Sequence, residues 1–293
     1  MKILFLTHFY WPHIGGVERH LEKIVKTISK RGNDLSIITE NNLPNNRINN
    51  QKIKIFRINY PHLKFLGLIK IWFEIFKLRY LILDADIIHI HDVFIWYLPF
   101  KFLFPKKKVF LTIHGLEWGN PFNKLSLLQK RIAVLLSNGS IGVGKFLETY
   151  IGSRFDQIIY GGIEYKKNLR PKIKGSIIFV GRLEQDTGLL ELLKYLKKNN
   201  YKAKFIGDGS LRKSCEKFGT VYGFTNPTPF YETVETVVPS GYLTYLEAKG
   251  NGCKIITFYS TKLKKEYWDE ILKLKKFDTW EDIANVYLKL WGK

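Results

Sequence analysis

Cysteine and long apolar runs are what this sequence most clearly lacks. Only Cys215 and Cys253 occur among 293 residues, and their spacing fits neither a zinc site nor a disulfide framework. No run reaches the ~18 uncharged apolar residues of a membrane-spanning helix. The amino terminus also lacks the apolar block and cleavage site of a signal peptide. We therefore expect a globular protein of the reducing cytoplasm, without zinc or disulfides.

Acidic residues are scarce as well. The sequence has 26 aspartates and glutamates against 47 lysines and arginines, which gives a net charge of +21. This excess favours anionic partners such as phosphates, an acidic membrane surface or nucleic acid. The sequence shows no zinc finger, aromatic RNP-type strand or basic heptad helix, so we expect no nucleic-acid partner. A basic, solvated surface explains the same lysines without any partner.

One segment is both apolar and charged. Residues 63–83, LKFLGLIKIWFEIFKLRYLIL, are interrupted by five charged side chains. Aromatic and basic residues together are typical of a helix that lies in the membrane interface. A partly buried helix of the first domain explains the pattern equally well. An anionic membrane surface is therefore a predicted partner, with the protein peripheral at the inner membrane face.

The first forty residues contain a strand, a glycine turn, a helix and a second strand. The apolar run 3–6 precedes Gly15 and Gly16, and a helical apolar period follows before the strand at 35–39. This order is typical of the opening unit of a parallel α/β domain. Glycines at a helix N-terminus allow an anion to approach free N–H groups, which predicts phosphate binding. A tight turn without a ligand is the alternative.

The rest of the chain continues this alternation in two series. Further strands are predicted at 53–58, 86–91, 109–114, 140–143 and 157–160. A polar, basic stretch at 161–175 is interpreted as a linker. Strands at 177–180, 203–206, 221–224, 236–238 and 254–258 follow, with helices at 188–196 and 210–218 between them. We predict an α/β fold with two doubly wound, Rossmann-like domains, 1–165 and 166–293. The terminal helices would pack back on the first domain, and a cleft would lie at the carboxyl ends of both sheets.

Polar residues recur where the predicted strands end. His114 precedes Gly115 and can hydrogen-bond a sugar hydroxyl or move a proton; a structural cap is the alternative. Arg182 follows Gly181, and its guanidinium can hold a diphosphate through two parallel hydrogen bonds. An interdomain salt bridge would explain Arg182 equally well. Other polar residues at such ends are His8, His91, Asp92, Asp208 and Ser240.

Residues 238–252, VPSGYLTYLEAKGNG, form the sharpest single motif. A strand ends near Ser240 and a helix follows, so its first N–H groups are available to a phosphate. Glu247 lies further along that helix, where a carboxylate can accept hydrogen bonds from both ribose hydroxyls. A solvated helix residue is the alternative for Glu247. Asp84 and Asp86 have the spacing of a metal motif but precede a strand, so we assign them a structural role.

In order, the blocks HFYWPHIGGVERH, DIIHIHD, TIHGLEW, YGGIEY, FVGRLEQDTG, FIGDGSLR, VYGF and VPSGYLTYLEAKGNG resemble those of a retaining family 4 glycosyltransferase with the GT-B fold. HGLEW is similar to the rhamnosyltransferase-like branch. The resemblance implies a retaining hexosyl or glycosyl transferase that uses a nucleotide-diphosphate sugar and a glycan or lipid-linked acceptor. It implies neither a cofactor nor a metal ion, because positive side chains and helix N-termini stabilise the leaving diphosphate.

The resemblance also implies roles for individual residues. The catalytic candidates are His114 and Glu117, and the acceptor-binding candidates are His13, His20 and His91. The donor-binding candidates are Gly15, Gly16, Arg182, Gly223, Phe224, Gly241, Tyr242, Leu243, Thr244 and Glu247.

Two positions depart from the family pattern. Thr187 stands where members usually have a lysine, and Pro239 where most have a glutamate. Losing the lysine removes a charge-assisted contact of ~1.5–3 kcal/mol, for which Arg212 or a lysine of the linker is a candidate replacement. These departures keep two alternatives open. One is a GT-B relic that binds sugar nucleotides or membranes as a partner subunit, and the other is a nucleotide-sugar epimerase.

Overall fold

The computed structural model describes residues 1–13, 15–41, 53–59, 64–116, 123–167 and 170–292. The chain divides into two compact units, residues 1–159 with 284–293 and residues 160–283. Both units are built on parallel sheets flanked by helices, which confirms the predicted α/β class. Within the described residues, no helix is long and apolar enough to cross a membrane.

The first unit holds a seven-stranded parallel sheet with the order β3-β2-β1-β4-β5-β6-β7. Its strands are β1 (Lys2–Thr7), β2 (Asp34–Glu40), β3 (Ile53–Ile58), β4 (Ile87–His91), β5 (Lys108–Ile113), β6 (Gly139–Val143) and β7 (Gln157–Ile159). Its helices are α1 (Gly16–Ser29), α2 (Lys64–Lys77), α3 (Arg79–Asp84), α4 (Phe94–Leu103), α5 (Lys124–Leu136) and α6 (Phe146–Ile151). Every residue of β4 is buried, as expected for a central strand that helices cover on both faces.

The second unit holds a four-stranded parallel sheet with the order β11-β10-β8-β9. Its strands are β8 (Ile173–Val180), β9 (Lys204–Ile206), β10 (Val234–Pro239) and β11 (Lys254–Ile255). The helices are α7 (Leu189–Asn199), α8 (Arg212–Glu216), α9 (Thr228–Tyr231), α10 (Tyr242–Gly250), α11 (Lys262–Leu272) and α12 (Trp280–Trp291). The division between the units falls inside α12, after Ile283.

The helices of the first unit lie on opposite faces of its sheet. The connection from β1 to β2 runs toward the β3 edge of the sheet. The successive connections from β3 to β4, from β4 to β5 and from β5 to β6 run in the opposite direction, toward the β7 edge. Since such crossovers are right-handed, α1 lies on one face and α2 to α5 on the other. On the α1 face, the Trp291 indole N–H donates to His89 Nδ1 at 2.9 Å. On the other face, the Trp72 indole of α2 donates to the Ile95 carbonyl of α4 at 2.9 Å.

Three predicted elements of the second unit are shorter than expected or absent, and one of them is the strand predicted at 254–258, which is shortened to β11. The predicted strand at 221–224 is wrong, because the segment forms only isolated bridges, Phe205 with Val221 and Gly207 with Gly223. Gly223 has a φ of 69°, which ends the extended run. The predicted helix at 210–218 is shortened to α8, and Gly219 follows with a φ of 156°.

The stretch interpreted as a linker begins with ordered contacts. The Ile163 N–H donates to the Asp278 carbonyl at 2.8 Å, and a Cβ built on Gly162 would lie 2.5 Å from the Trp280 ring. The boundary between the two compact units therefore lies between Ile159 and Tyr160, whereas the sequence predicts a domain boundary after residue 165.

Asp84 and Asp86 have the structural role that the sequence predicts. Asp86 accepts a hydrogen bond from the Lys2 N–H at 2.8 Å, and Asp84 pairs with the Lys2 ammonium at 2.7 Å. The two carboxylates therefore fix the start of β1, at the edge of the sheet opposite to its carboxyl ends.

Candidate active site

The carboxyl edge of the second sheet brings three strand ends into close contact. Gly181 follows β8, Gly207 follows β9 and Ser240 follows β10. A Cβ built on Gly181 would lie 1.7 Å from Ser240 Oγ, and one on Gly207 would lie 1.8 Å from the Gly181 carbonyl oxygen. Both glycines also have positive φ, 147° and 138°. Only glycine fits here, at the sheet edge where α/β folds bind ligands.

Helix α10 begins directly after this edge. Its N-cap, Gly241, makes no side-chain capping bond. The Tyr242 N–H donates to the Tyr267 hydroxyl. A helix leaves its first N–H groups without intrahelical partners, so those of Leu243 and Thr244 lie at an end that favours an anion.

Arg182 lies on the loop after β8 with its guanidinium half-exposed. Its Nη2 donates to Asp186 Oδ2 at 2.7 Å. The sequence predicts this residue as a diphosphate ligand, and the structure places it directly after Gly181 at the edge described above. It is therefore positioned next to the loop that precedes α10.

Lys264 of α11 is a buried cation that the sequence interpretation missed. Only 3% of the residue is exposed. Its Nζ donates to the Ser240 carbonyl at 2.7 Å and lies 4.1 Å from the centre of the Tyr267 ring. Burial lowers the pKa of Lys264 to about 7, with Asp186 opposing the shift and Arg182 adding to it. The available signal was its helical register with the buried Trp268 and Ile271.

The departure at Thr187 has a structural explanation. The Thr187 side chain is buried and its hydroxyl donates to the Glu184 carbonyl at 2.7 Å, so it points into the unit. Arg212 is engaged by two carboxylates, Asp208 at 2.7 Å and Glu216 at 3.1 Å. Lys264, rather than Arg212, is therefore the cation in contact with the loop before α10.

The remaining donor-site candidates lie on nearby elements of the second unit. Glu247 of α10 is half-buried, and the Tyr231 hydroxyl donates to its Oε2 at 3.3 Å. The Gly223 carbonyl accepts from the Gly207 N–H at 2.8 Å, which ties this segment to the sheet edge. Phe224 is 59% exposed, so its ring is available for stacking.

In the first unit, a carboxylate occupies the predicted anion position at the N-terminus of α1. A Cβ built on Gly15 would lie 2.1 Å from Glu18 Oε2, so this side chain folds over the glycine turn. Burial raises the pKa of Glu18, while its own backbone N–H and His13, at 3.1 Å, oppose the shift. A phosphate could therefore bind near Gly15 and Gly16 only if Glu18 moved away or became protonated. The sequence interpretation did not identify Glu18 as a site residue.

A cavity of about 390 Å³ lies at the carboxyl edge of the seven-stranded sheet of the first unit. Its polar lining includes Glu18, His91, Asp92 and Lys130. Asp92 adopts a left-handed conformation with a φ of 62°, which is uncommon for a residue other than glycine. Burial raises the pKa of Asp92, with Lys130 opposing the shift.

Four histidines cluster beside this cavity: His20, His89, His91 and His114. His91 Nδ1 lies 2.8 Å from His114 Nε2, and the His114 N–H donates to Asp92 Oδ1 at 2.9 Å. The ring of His20 lies edge-on to His114 at 4.9 Å. Burial, and then Lys130, lower the pKa of His114 to about 3. His114 is therefore neutral at physiological pH and suited to hydrogen bonding rather than to acting as a base.

The three acceptor-site candidates differ in accessibility. His13 is half-exposed and stacks on Phe9 at 4.5 Å. His20 is 4% exposed and its Nε2 lies 3.1 Å from the Tyr287 hydroxyl, whereas His91 is fully buried. These contacts suit His20 and His91 to orienting His114. Glu117, the second catalytic candidate, lies outside the described residues.

Among the residues that the structure describes, no group of three or more His, Cys, Asp or Glu side chains has an arrangement that could hold a metal ion.

Comparison with known proteins gives one family match. The family model described as Glycosyltransferase Family 4 matches residues 14–165. Two uncharacterized glycosyltransferases of Methanocaldococcus jannaschii are similar to the chain. The first is 26% identical over 86% of this chain and 76% of its own length. The second is 27% identical over 74% of this chain and 63% of its own.

Solved glycosyltransferase structures match the whole chain. Sucrose-phosphate synthase from Thermosynechococcus elongatus gives a TM-score of 0.72 at 14% identity, covering 100% of this chain and 90% of its own. Anabaena HepE, solved with UDP and glucose, gives a TM-score of 0.68 at 16% identity, and the match covers 99% of this chain and 89% of HepE. These similarities confirm the predicted GT-B fold and favour neither the epimerase nor the relic.

Proposed function

The chain belongs to glycosyltransferase family 4 and is a glycosyltransferase, and we propose that it transfers a sugar from a nucleotide-diphosphate donor to a glycan or lipid-linked acceptor with retention of configuration. The observation that carries this proposal is the carboxyl edge of the second sheet. There, Arg182 follows Gly181 at the end of β8, and Lys264 donates to the Ser240 carbonyl just before α10 begins. Arg182, the protonated form of Lys264 and a helix N-terminus together supply positive charge for a diphosphate.

In the proposed complex, the second unit binds the nucleotide. Glu247 accepts hydrogen bonds from the ribose hydroxyls, and Tyr231 holds its carboxylate through a bond of 3.3 Å. The exposed Phe224 ring stacks near the base, and the backbone of Gly223 approaches it. The diphosphate then lies against the N–H groups of Leu243 and Thr244.

The first unit positions the transferring sugar and the acceptor. Because its pKa is low, His114 is a neutral imidazole that shares one hydrogen bond with His91 and can offer another to a sugar hydroxyl. The half-exposed His13 is the candidate for acceptor contact. Such a weak base does not suit removal of the acceptor proton, so we assign that step to an oxygen of the leaving diphosphate on the same sugar face. Retention then requires no side-chain nucleophile.

Nucleotide binding should depend on Arg182 and Glu247. We expect one member of the UDP, GDP, ADP or dTDP series to raise the unfolding temperature, corresponding to about 2.7 kcal/mol at ~100 times its dissociation constant. UDP is the first choice, because it is the nucleotide named with the Anabaena structure. Arg182→Ala and Glu247→Ala should each weaken binding roughly tenfold, since each removes a charge-assisted hydrogen bond. Thermal shift and titration calorimetry provide the measurement.

Matched controls are Arg170→Ala and Glu216→Ala, which remove exposed charges elsewhere in the second unit. Their nucleotide affinity should equal that of the wild type. If no nucleotide shifts the unfolding temperature, the donor-site assignment fails. Binding of a donor without turnover would favour the relic, and epimerised donor without transfer would favour the epimerase.

Removal of divalent metal should leave transfer unchanged. Arg182, Lys264 and the dipole of α10 supply the positive charge that a divalent cation would otherwise bring to the leaving diphosphate. We therefore expect equal initial rates with excess EDTA and with added Mg²⁺ or Mn²⁺, measured as release of the nucleoside diphosphate. A rate that falls in EDTA and returns with Mg²⁺ would contradict metal independence.

A further inference from the structure

Helices α2 and α3 carry an apolar stripe on their exposed side. Six large apolar side chains recur at alternating spacings of three and four residues and are 43–67% exposed: Leu66, Ile69, Phe73, Phe76, Tyr80 and Leu83. Such spacing places residues on one helix face. The face packed against the unit carries Ile71, Ile75 and Ile82, all fully buried. These helices are therefore apolar on both sides, which folding of this unit alone does not explain.

Helix α5 repeats the pattern. Leu125, Leu128, Ile132 and Leu135 follow the same spacing and are 41–72% exposed. Helix α4 lies in contact with both α2 and α5, and its final residues Phe102 and Leu103 are 68% and 54% exposed. We call the exposed apolar residues of α2 to α5 the apolar face. Monomeric soluble proteins rarely expose contiguous apolar surface of this extent without a partner.

The same four helices are strongly basic. They contain eight lysines and arginines and only two acidic residues, Glu74 and Asp84. Both acidic residues are paired, Glu74 with Lys77 and Asp84 with Lys2. The basic residues are Lys64, Lys70, Lys77, Arg79, Lys101, Lys124, Lys130 and Arg131. These helices therefore have a net positive charge, although Lys77 pairs with Glu74 and Lys130 lines the cavity of the candidate site.

Two of these cations lie directly against the apolar stripe. Lys77 Nζ is 4.6 Å from the centre of the Phe73 ring, and the Arg79 guanidinium is 4.6 Å from that of Phe76. The Phe76 ring can therefore enter an apolar layer while Arg79 extends to an anionic headgroup, whereas Lys77 would first have to leave Glu74.

We propose that the apolar face docks on the surface of an anionic lipid bilayer. Exposed apolar side chains beside an excess of cations match the acyl boundary and the charged headgroups of such a surface. A second copy of this chain is the less suitable partner, because it would bring two positively charged surfaces together. No described helix is long enough to span a membrane, so the helices lie in the interface. The proposal concerns the first unit and does not depend on the proposed function.

The test is co-sedimentation of the full chain with vesicles of phosphatidylglycerol and phosphatidylcholine, compared with pure phosphatidylcholine. We expect strong binding only to the anionic vesicles and loss of binding at high salt. The triple variant Ile69→Ser, Phe73→Ser, Leu128→Ser should weaken partitioning about 100-fold, because it removes buried apolar area. The double variant Lys70→Gln, Arg131→Gln should weaken it about 25-fold, at roughly fivefold for each cation.

Matched controls use exposed residues of the second unit. Two double variants should bind vesicles like the wild type. The first combines Tyr201→Ser with Leu272→Ser, and the second combines Lys194→Gln with Lys197→Gln. All variants should keep the wild-type unfolding temperature and nucleotide affinity, which separates this test from that of the donor site. Absence of wild-type binding to anionic vesicles would overturn the proposal. Equal losses in the controls would do so too, as would light scattering showing self-association through the apolar face without vesicle binding.

Discussion

A Lys264→Met variant is expected to lose about 30-fold in kcat/KM for sugar transfer while unfolding at the same or a higher temperature than the wild type. The ammonium contacts the Ser240 carbonyl at 2.7 Å, beside the proposed diphosphate position, so its charge should stabilise the leaving group. Losing one charge-assisted interaction of this kind costs about 2 kcal/mol. The lysine is 3% exposed, and methionine of similar shape avoids the cost of burying a charge.

The pH dependence of stability gives Lys264 a second signature. Its pKa is about 7 in the folded protein, whereas an unfolded lysine titrates near ~10.4. Between these values the unfolded chain binds a proton that the folded chain has lost, so wild-type stability rises with pH. The stability advantage of Lys264→Met should therefore shrink by about 1.4 kcal/mol per pH unit above pH ~7, and stay constant below it. Urea unfolding of both proteins across this range measures the difference.

Lys265→Met on the same helix is the matched control. Lys265 is half-exposed and pairs with Asp269 at 2.6 Å, away from the Ser240 loop. Its activity should stay within about twofold of the wild type, and its stability relative to wild type should show no comparable pH slope. Full activity in Lys264→Met would contradict the assignment, as would a loss of activity that accompanies a lower unfolding temperature.

Much of the fold could be predicted because local periodicity and glycine positions are informative in parallel α/β proteins. The order of β1, α1 and β2 follows from the apolar run and helical period around Gly15, and both sheets are parallel as predicted. The strand predicted at 221–224 was wrong because the side chains of this segment resemble those of a strand. Its pairing depends on Gly207 and Gly219, whose backbones approach distant carbonyls.

The candidate site was only partly predictable, because burial depends on contacts far apart in the sequence. Arg182 and Ser240 could be placed at strand ends from sequence alone. The helical register of Lys264 with Trp268 and Ile271 indicates burial, but not its contact with Ser240, which lies 24 positions away in the sequence. The neutral state of His114 likewise depends on tertiary burial and on Lys130. The roles of these residues in binding and transfer stay predictions.

Replacing Gly207 with alanine is expected to destabilise the second unit by about 4 kcal/mol and to abolish detectable nucleotide binding. The φ of 138° is strained for any residue with a Cβ, at a cost of about 1–3 kcal/mol. The new Cβ would also lie 1.8 Å from the Gly181 carbonyl oxygen, so the backbone must move, at about 1–3 kcal/mol more. Moving Gly181 displaces Arg182 beside it. Urea unfolding followed by intrinsic tryptophan fluorescence measures the loss.

Gly175→Ala separates the cost of backbone strain from the cost of the close contact with the Gly181 carbonyl. Gly175 lies in the same unit with a φ of 75°, but a Cβ there would meet nothing within 4 Å. It should therefore cost only the left-handed strain of about 1–2 kcal/mol and leave nucleotide affinity unchanged. The difference between the two variants measures the contact between the loops after β8 and β9. Equal unfolding midpoints would show that these loops yield easily, and that close packing of Gly181 and Gly207 does not hold Arg182 in place.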